Sequence, residues 1–106
     1  MEDRRIFTRF KAKVHARVLN LYKNEEAEAT TSDFSAKGVG LETDREIVAH
    51  TPVELWLDIP DKGAPLYARG EVVWANRTPE NTFRVGVNLD SANMFGLSRL
   101  MRIRSS

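Results

Sequence analysis

The sequence predicts a mainly β protein, a six- or seven-stranded antiparallel β-barrel with a C-terminal α-helix. Three observations carry that expectation. Apolar residues alternate with polar ones through most of the chain, the period of strands that bury one face. The alternating stretches are joined by short segments rich in Gly, Pro, Asn, Asp and Ser, which suit antiparallel neighbours. Near the end the apolar spacing changes to three or four residues, the period of a helix with one apolar face. Closing so many short strands into a barrel removes the exposed sheet edges.

Each element follows in order. Residues 1–12 form a flexible basic arm, 13–90 the barrel and 91–104 the helix, all within one domain. From Val14 the alternation Val14, Ala16, Val18 around His15 and Arg17 marks a first strand that ends near Tyr22. Lys23-Asn24-Glu25 reads as a hairpin turn and 27–31 as a polar returning strand. Ser32-Asp33-Phe34-Ser35-Ala36-Lys37-Gly38 is rich in residues that bond their own backbone, so it reads as an ordered loop before a strand at 39–43. Val53, Leu55, Leu57 and Ile59 alternate with Glu54, Trp56 and Asp58 between Pro52 and Pro60, the clearest strand in the chain. A turn at 61–65 leads to a strand at 66–75, in which Gly70 marks a bulge or a close-packing point. Phe83, Val85, Val87 and Leu89 form the last strand. Asp90 or Ser91 caps a helix with Met94, Leu97, Leu100 and Met101 on one face and Arg99, Arg102 and Arg104 near its carboxyl end.

Composition narrows function. The 106 residues contain no cysteine, which removes thiolate nucleophiles, disulfides and cysteine zinc sites, and fits a reducing, cytoplasmic setting. The charged amino terminus lacks the apolar core of a secretory signal, and no apolar run is long enough for membrane insertion. The net charge of +1 hides segregation. Residues 1–17 hold six basic side chains against two acidic ones, while residues 21–62 hold four against ten. The basic head is suited to a small anionic partner, and the acidic middle disfavours long nucleic acid. Catalysis lacks parts: His15 and His50 stand 35 positions apart without ligand spacing, and the carboxylates scatter over solvent faces and turns. His15 reads as an exposed strand residue, and Trp56 and Trp74 as barrel aromatics rather than stacking platforms. No enzyme activity and no cofactor are expected.

Two spacings remain. Arg5 and Arg9 stand four apart in Arg5-Ile6-Phe7-Thr8-Arg9, a spacing that eleven arginines produce about once by chance. Asp33-Phe34-Ser35-Ala36-Lys37-Gly38 fits Asp/Asn-x-Ser-x-x-Gly, expected only ~0.04 times in this composition, so it carries the specificity. In this order the two motifs resemble the PilZ family, small bacterial barrel domains that bind cyclic di-GMP. The likeness covers essentially the whole chain and includes Gly70-Glu71-Val72-Val73-Trp74 and Phe83-Arg84-Val85-Gly86-Val87 as late strands.

The resemblance implies a ligand site at Arg5, Arg9, Asp33, Ser35 and Gly38, with Arg4 setting whether one ligand or an intercalated pair is held. The chemistry is suitable. An arginine fork donates in pairs to phosphate or to guanine O6 and N7, and its face stacks on a base. Asp33 accepts from guanine N1 and N2, Ser35 adds a hydroxyl bond, and Gly38 admits close backbone approach. The bland alternatives are a solvated basic arm for Arg5 and Arg9 and a self-bonded turn for Asp33 and Ser35. With no effector domain in the chain, the signal would pass to an unidentified effector protein or through self-association. A ligand-independent interaction module with the same barrel is the alternative function. A single-stranded nucleic-acid barrel is disfavoured, because its strand-face aromatics are largely missing.

Overall fold

The computed structural model describes residues 9–35 and 37–90, together with Arg99 and Arg102. Among the described residues seven strands form one antiparallel sheet: β1 (Phe10–Lys11), β2 (His15–Asn20), β3 (Glu25–Phe34), β4 (Gly38–Thr43), β5 (Pro52–Asp58), β6 (Leu66–Arg77) and β7 (Phe83–Leu89). Their order is β1-β3-β2-β5-β6-β7-β4, and β4 also pairs with β3. That last pairing closes a six-stranded ring, with β1 as an additional strand on the edge of β3 that β2 occupies further along.

Alternation drives this closure. Along β5 the inward Val53, Leu55 and Leu57 are buried, and the same holds for Ala16 and Val18 on β2 and Val85 and Val87 on β7. Together with Val39, Leu41 and Val72 they fill the barrel with stiff, mostly β-branched side chains. Each such side chain contributes about 1.5–3 kcal/mol by leaving water. The break between β1 and β2 is bridged by the buried Thr31. Its hydroxyl donates to the Ala12 carbonyl at 2.7 Å and accepts from the Val14 amide at 2.9 Å, so one side chain on β3 supplies partners that the interrupted ladder does not. At the β2–β3 turn Asn24 adopts φ 56°, and the Asn20 Oδ1 accepts from the amides of Tyr22 and Lys23.

Two register shifts interrupt the ladders, and both position the site. On β3, Thr31 pairs with Leu41 and Asp33 with Gly40, so Ser32 is an inserted residue. Thr31 and Phe34 consequently both point into the core, while Ser32 and Asp33 face outward side by side. On β6, Val72 pairs with Val87 and Trp74 with Gly86, so Val73 is inserted and both Val73 and Trp74 face outward.

Some details differ from the sequence expectation. Phe10 and Lys11, placed in the arm, form β1, and β3 continues through residues 32–34 that read as loop. The loop assignment fails because adjacent polar residues at a bulge imitate a turn. The β6 irregularity lies at Val73 rather than at Gly70, whose role is close packing: a Cβ there would meet the Asn88 carbonyl and Val87 Cγ1. The C-terminal helix expected at 91–104 lies outside the described residues, apart from Arg99 and Arg102. Arg99 donates twice to Asp61, both at 2.7 Å, and to the Ala64 carbonyl at 2.9 Å. Among the described residues no helix is long and apolar enough to cross a membrane.

Candidate functional site

A cleft of about 440 Å³ runs along the outer face of the barrel, across β3, β4, β7 and β6. Its floor follows from register. Asp33 on β3 pairs with Gly40 on β4, Gly40 with Gly86 on β7, and Gly86 with Trp74 on β6. One cross-strand row therefore carries a carboxylate at one end, an indole at the other and two glycines between. A Cβ on Gly40 would strike Asp33 Oδ1 and Ser32 Oγ, and a Cβ on Gly86 would strike the Nε1–Cε2–Cζ2 edge of Trp74. Both side chains lie directly on bare backbone, which only glycine permits.

Arg9, immediately before β1, closes one end of the cleft. Its Nε donates to Asp33 Oδ2 at 2.6 Å, and Ser32 Oγ donates to the other carboxylate oxygen at 3.1 Å. The Arg9 guanidinium holds the Asp33 carboxyl below the usual carboxylate range, against the opposing effect of partial burial. Asp33 is thus a charged acceptor at neutral pH, already engaged by a cation.

Ser35 is buried at 5% exposure, and its Oγ accepts from the amides of Lys37 and Gly38 at 3.3 and 3.2 Å. Ser35 therefore closes the β3–β4 turn in the self-bonded manner weighed above, whereas Asp33 spends its oxygens on Arg9 and Ser32. Gly38 lines the cleft, and a Cβ there would sit 2.7 Å from the Val87 carbonyl. Its bareness is needed by the neighbouring strand as well as by any ligand. Of the sequence-assigned residues, Arg9, Asp33, Ser35 and Gly38 converge on one cleft. Arg4 and Arg5 lie outside the described residues.

Sequence reasoning missed the opposite wall, where Trp74, Arg84 and Asn88 line the cleft. Trp74 was expected to be a barrel aromatic, and the inserted Val73 turns it outward into the site at 44% exposure. The signal available was the glycine pair: Gly40 and Gly86 stand at outward positions between the buried Val39 and Leu41 on β4 and the buried Val85 and Val87 on β7. Trp56, by contrast, lies on the far wall beneath Arg17 and against Tyr67.

A second concavity of about 480 Å³ lies between Lys13, His15, Glu28, Glu42, Asp44 and Thr82. It holds none of the motif residues. His15 stands exposed on β2, as expected, between Asp58 at 2.8 Å and Glu28. Those carboxylates raise its pKa above the ordinary imidazole value, Asp58 most strongly. Among the described residues no group of His, Asp and Glu is arranged to hold a metal ion.

Fold and site together define a small antiparallel barrel domain with an outward-facing, glycine-floored polar cleft. The chain belongs to the PilZ domain family, whose pattern matches residues 3–102. Solved structures agree on the fold. The PilZ domain of YcgR from Escherichia coli, solved with c-di-GMP, superposes with a TM-score of 0.69 at 14% identity, covering 94% of this chain and 88% of that one. The inhibitor of motility MotI/DgrA of Bacillus subtilis gives 0.67 at 13% identity over 92% of this chain. This chain spans about half of that protein, 47% of its length. The PilZ domain of CeSA from a cellulose-synthesizing bacterium gives 0.60 at 17% identity, covering 90% of this chain and 92% of that one. No curated protein matches the sequence.

Proposed function

We propose that the chain is a cyclic di-GMP receptor domain that catalyses no reaction. The observation that carries this reading is the meeting of Arg9 and Asp33, 24 residues apart in sequence, over bare glycine backbone in one cleft. They are the two side chains suited to a diester and to a guanine edge. A cleft of about 440 Å³ falls in the range of small-molecule sites, roughly 300–1,000 Å³. The E. coli relative, solved with c-di-GMP, supports the choice of ligand.

Binding on this reading is an exchange of partners. Arg9 leaves Asp33 for a phosphodiester, and Asp33 accepts the N1 and N2 hydrogens of a guanine instead. Arg5 adds a second fork, and Arg4 sets the number of ligands held. Drawing the basic segment over the cleft reshapes the surface, and the signal passes in the cytoplasm to an effector protein or to a second copy. Long nucleic acid is not a partner on this reading.

Calorimetric titration with cyclic di-GMP, against cyclic di-AMP and GTP as controls, tests the proposal. Guanine-selective binding is the expected result. A folded protein that binds none of the three is a ligand-independent interaction module instead.

A further inference from the structure

Ser32 is the residue that the β3 register shift inserts, and the receptor reading gives it no task. The shift seats it on the outer face beside Asp33, where an unbroken pleat would send the two side chains to opposite faces. Its Oγ donates to Asp33 Oδ1 at 3.1 Å, while Arg9 Nε donates to Oδ2 at 2.6 Å. Each carboxylate oxygen is thus held by one donor and keeps a second lone pair. Gly40, the β4 partner of Asp33, supplies the room: a Cβ there would sit 2.8 Å from Ser32 Oγ and would also strike Asp33 Oδ1. Ser32 stands where the ligand cleft meets the second concavity and lines both.

We infer that Ser32 is a positioning residue for guanine recognition: its hydroxyl pins Asp33 Oδ1, so the carboxylate keeps one orientation when Arg9 moves to the phosphodiester. This rests on the cyclic di-GMP reading of the cleft and deepens it. The two donors on Asp33 answer a ligand differently. Arg9 is drawn by the phosphate charge, and its departure frees Oδ2. Ser32 is neutral and adjacent on the same strand, so its bond to Oδ1 survives the exchange. The freed oxygen and the second lone pair of the pinned one then face the N1 and N2 hydrogens of a guanine together. Selectivity depends on that alignment, because adenine presents a lone pair at N1 where guanine presents a hydrogen. A carboxylate released by Arg9 and not held by Ser32 turns freely about its side-chain bonds, and ordering it again opposes binding. The pin also offsets the loss of the cation. Partial burial favours the neutral acid, and the bond from Ser32 favours the charged acceptor that guanine requires.

The test compares the unaltered full chain with Ser32→Ala and Ser32→Thr. It reads affinity for cyclic di-GMP, affinity for cyclic di-AMP, and the titration of the Asp33 carboxyl carbon by NMR in the ligand-free protein. Ser32→Ala should weaken cyclic di-GMP about tenfold, the effect of one hydrogen bond to a charged group, and leave cyclic di-AMP nearly unchanged, so the ratio between the two shrinks. In the same variant Asp33 should titrate at higher pH than in the unaltered protein, while the charges of Arg9 and Lys11 still act on it. Ser32→Thr, which keeps the hydroxyl and suits a strand, should restore both the ratio and the titration. Thermal unfolding of Ser32→Ala should match the unaltered protein, which separates positioning from a structural role. Unchanged guanine selectivity in Ser32→Ala, an unmoved Asp33 titration, or a Ser32→Ala chain that fails to fold would each overturn the positioning role and leave the receptor reading standing. Failure of the unaltered protein to bind cyclic di-GMP would overturn the receptor reading itself, and this role with it.

Discussion

The two walls of this barrel are built from the same kinds of residues and differ in register. On the β2–β5 wall six consecutive pairs, from His15–Asp58 to Asn20–Val53, run without a shift, and burial alternates strictly along β5. On the β3–β4–β7–β6 wall two inserted residues, Ser32 and Val73, put neighbouring side chains on the outer face together, and glycines occupy the row between them. The regular wall yields surface ion pairs and an aromatic contact, Arg17 over Trp56 and Trp56 against Tyr67. The irregular wall yields a cleft. A β-barrel thus acquires a site where strict alternation fails, because a bulge aims a side chain that the pleat would otherwise bury.

Substitutions on the two walls should separate stability from binding. The largest effect belongs to the core of the regular wall. Leu55, fully buried, should cost about 2–5 kcal/mol of unfolding free energy when replaced by Ala, with ligand affinity of the folded protein unchanged. Chemical denaturation followed by titration measures both. Arg9→Ala should do the reverse. Its half-exposed pair with Asp33 contributes at most about 1 kcal/mol to stability, yet on the proposed receptor reading its loss should cost about 2–5 kcal/mol of cyclic di-GMP binding. A variant that lost stability and affinity together would erase the distinction between the walls. Gly40→Ala tests the floor more gently: its Cβ displaces Asp33 and Ser32, so cyclic di-GMP affinity should fall about tenfold while stability changes by about 1 kcal/mol.

The smallest expected effects are pH dependences, and they run in opposite directions. His15 has a raised pKa in the folded protein, so its pairs with Asp58 and Glu28 contribute stability in full below about pH 6.5 and lose it as pH rises through the folded value. Asp33 has a lowered pKa, so its pair with Arg9 contributes above about pH 3.9 and is lost as pH falls through the folded value. Thermal unfolding of the unaltered protein, His15→Gln and Asp33→Asn across pH should show the first difference shrinking at alkaline pH and the second at acid pH. The amplitude for His15 should stay below about 1 kcal/mol, because the cluster is half exposed.

The same contrast governs what the sequence discloses. The β5 strand was legible residue by residue, since Val53, Leu55 and Leu57 keep the pleat's period between two prolines. Arg9, Asp33, Ser35 and Gly38 were legible as a motif and do converge on one cleft. Trp74 was not, because the inserted Val73 shifts its phase and turns toward solvent a residue that period-two reading assigns to the barrel itself. The extension of β3 through Phe34 was hidden for the same reason: Ser32 and Asp33 are consecutive outward residues, which resembles a loop. β1 is two residues long and carries no period at all. The partners of a bulge are set by the opposite strand, so local sequence alone does not locate it.

The two tryptophans place one reporter on each wall, Trp74 in the cleft and Trp56 on the regular wall. Titrating the isotope-labelled protein with cyclic di-GMP while following its two indole N–H signals by NMR tests the central claim most directly. The Trp74 signal and the amides of Gly40 and Gly86 should shift at saturation, while the Trp56 signal stays in place. Movement of Trp56 with Trp74 unmoved would place the ligand on the regular wall and contradict the account.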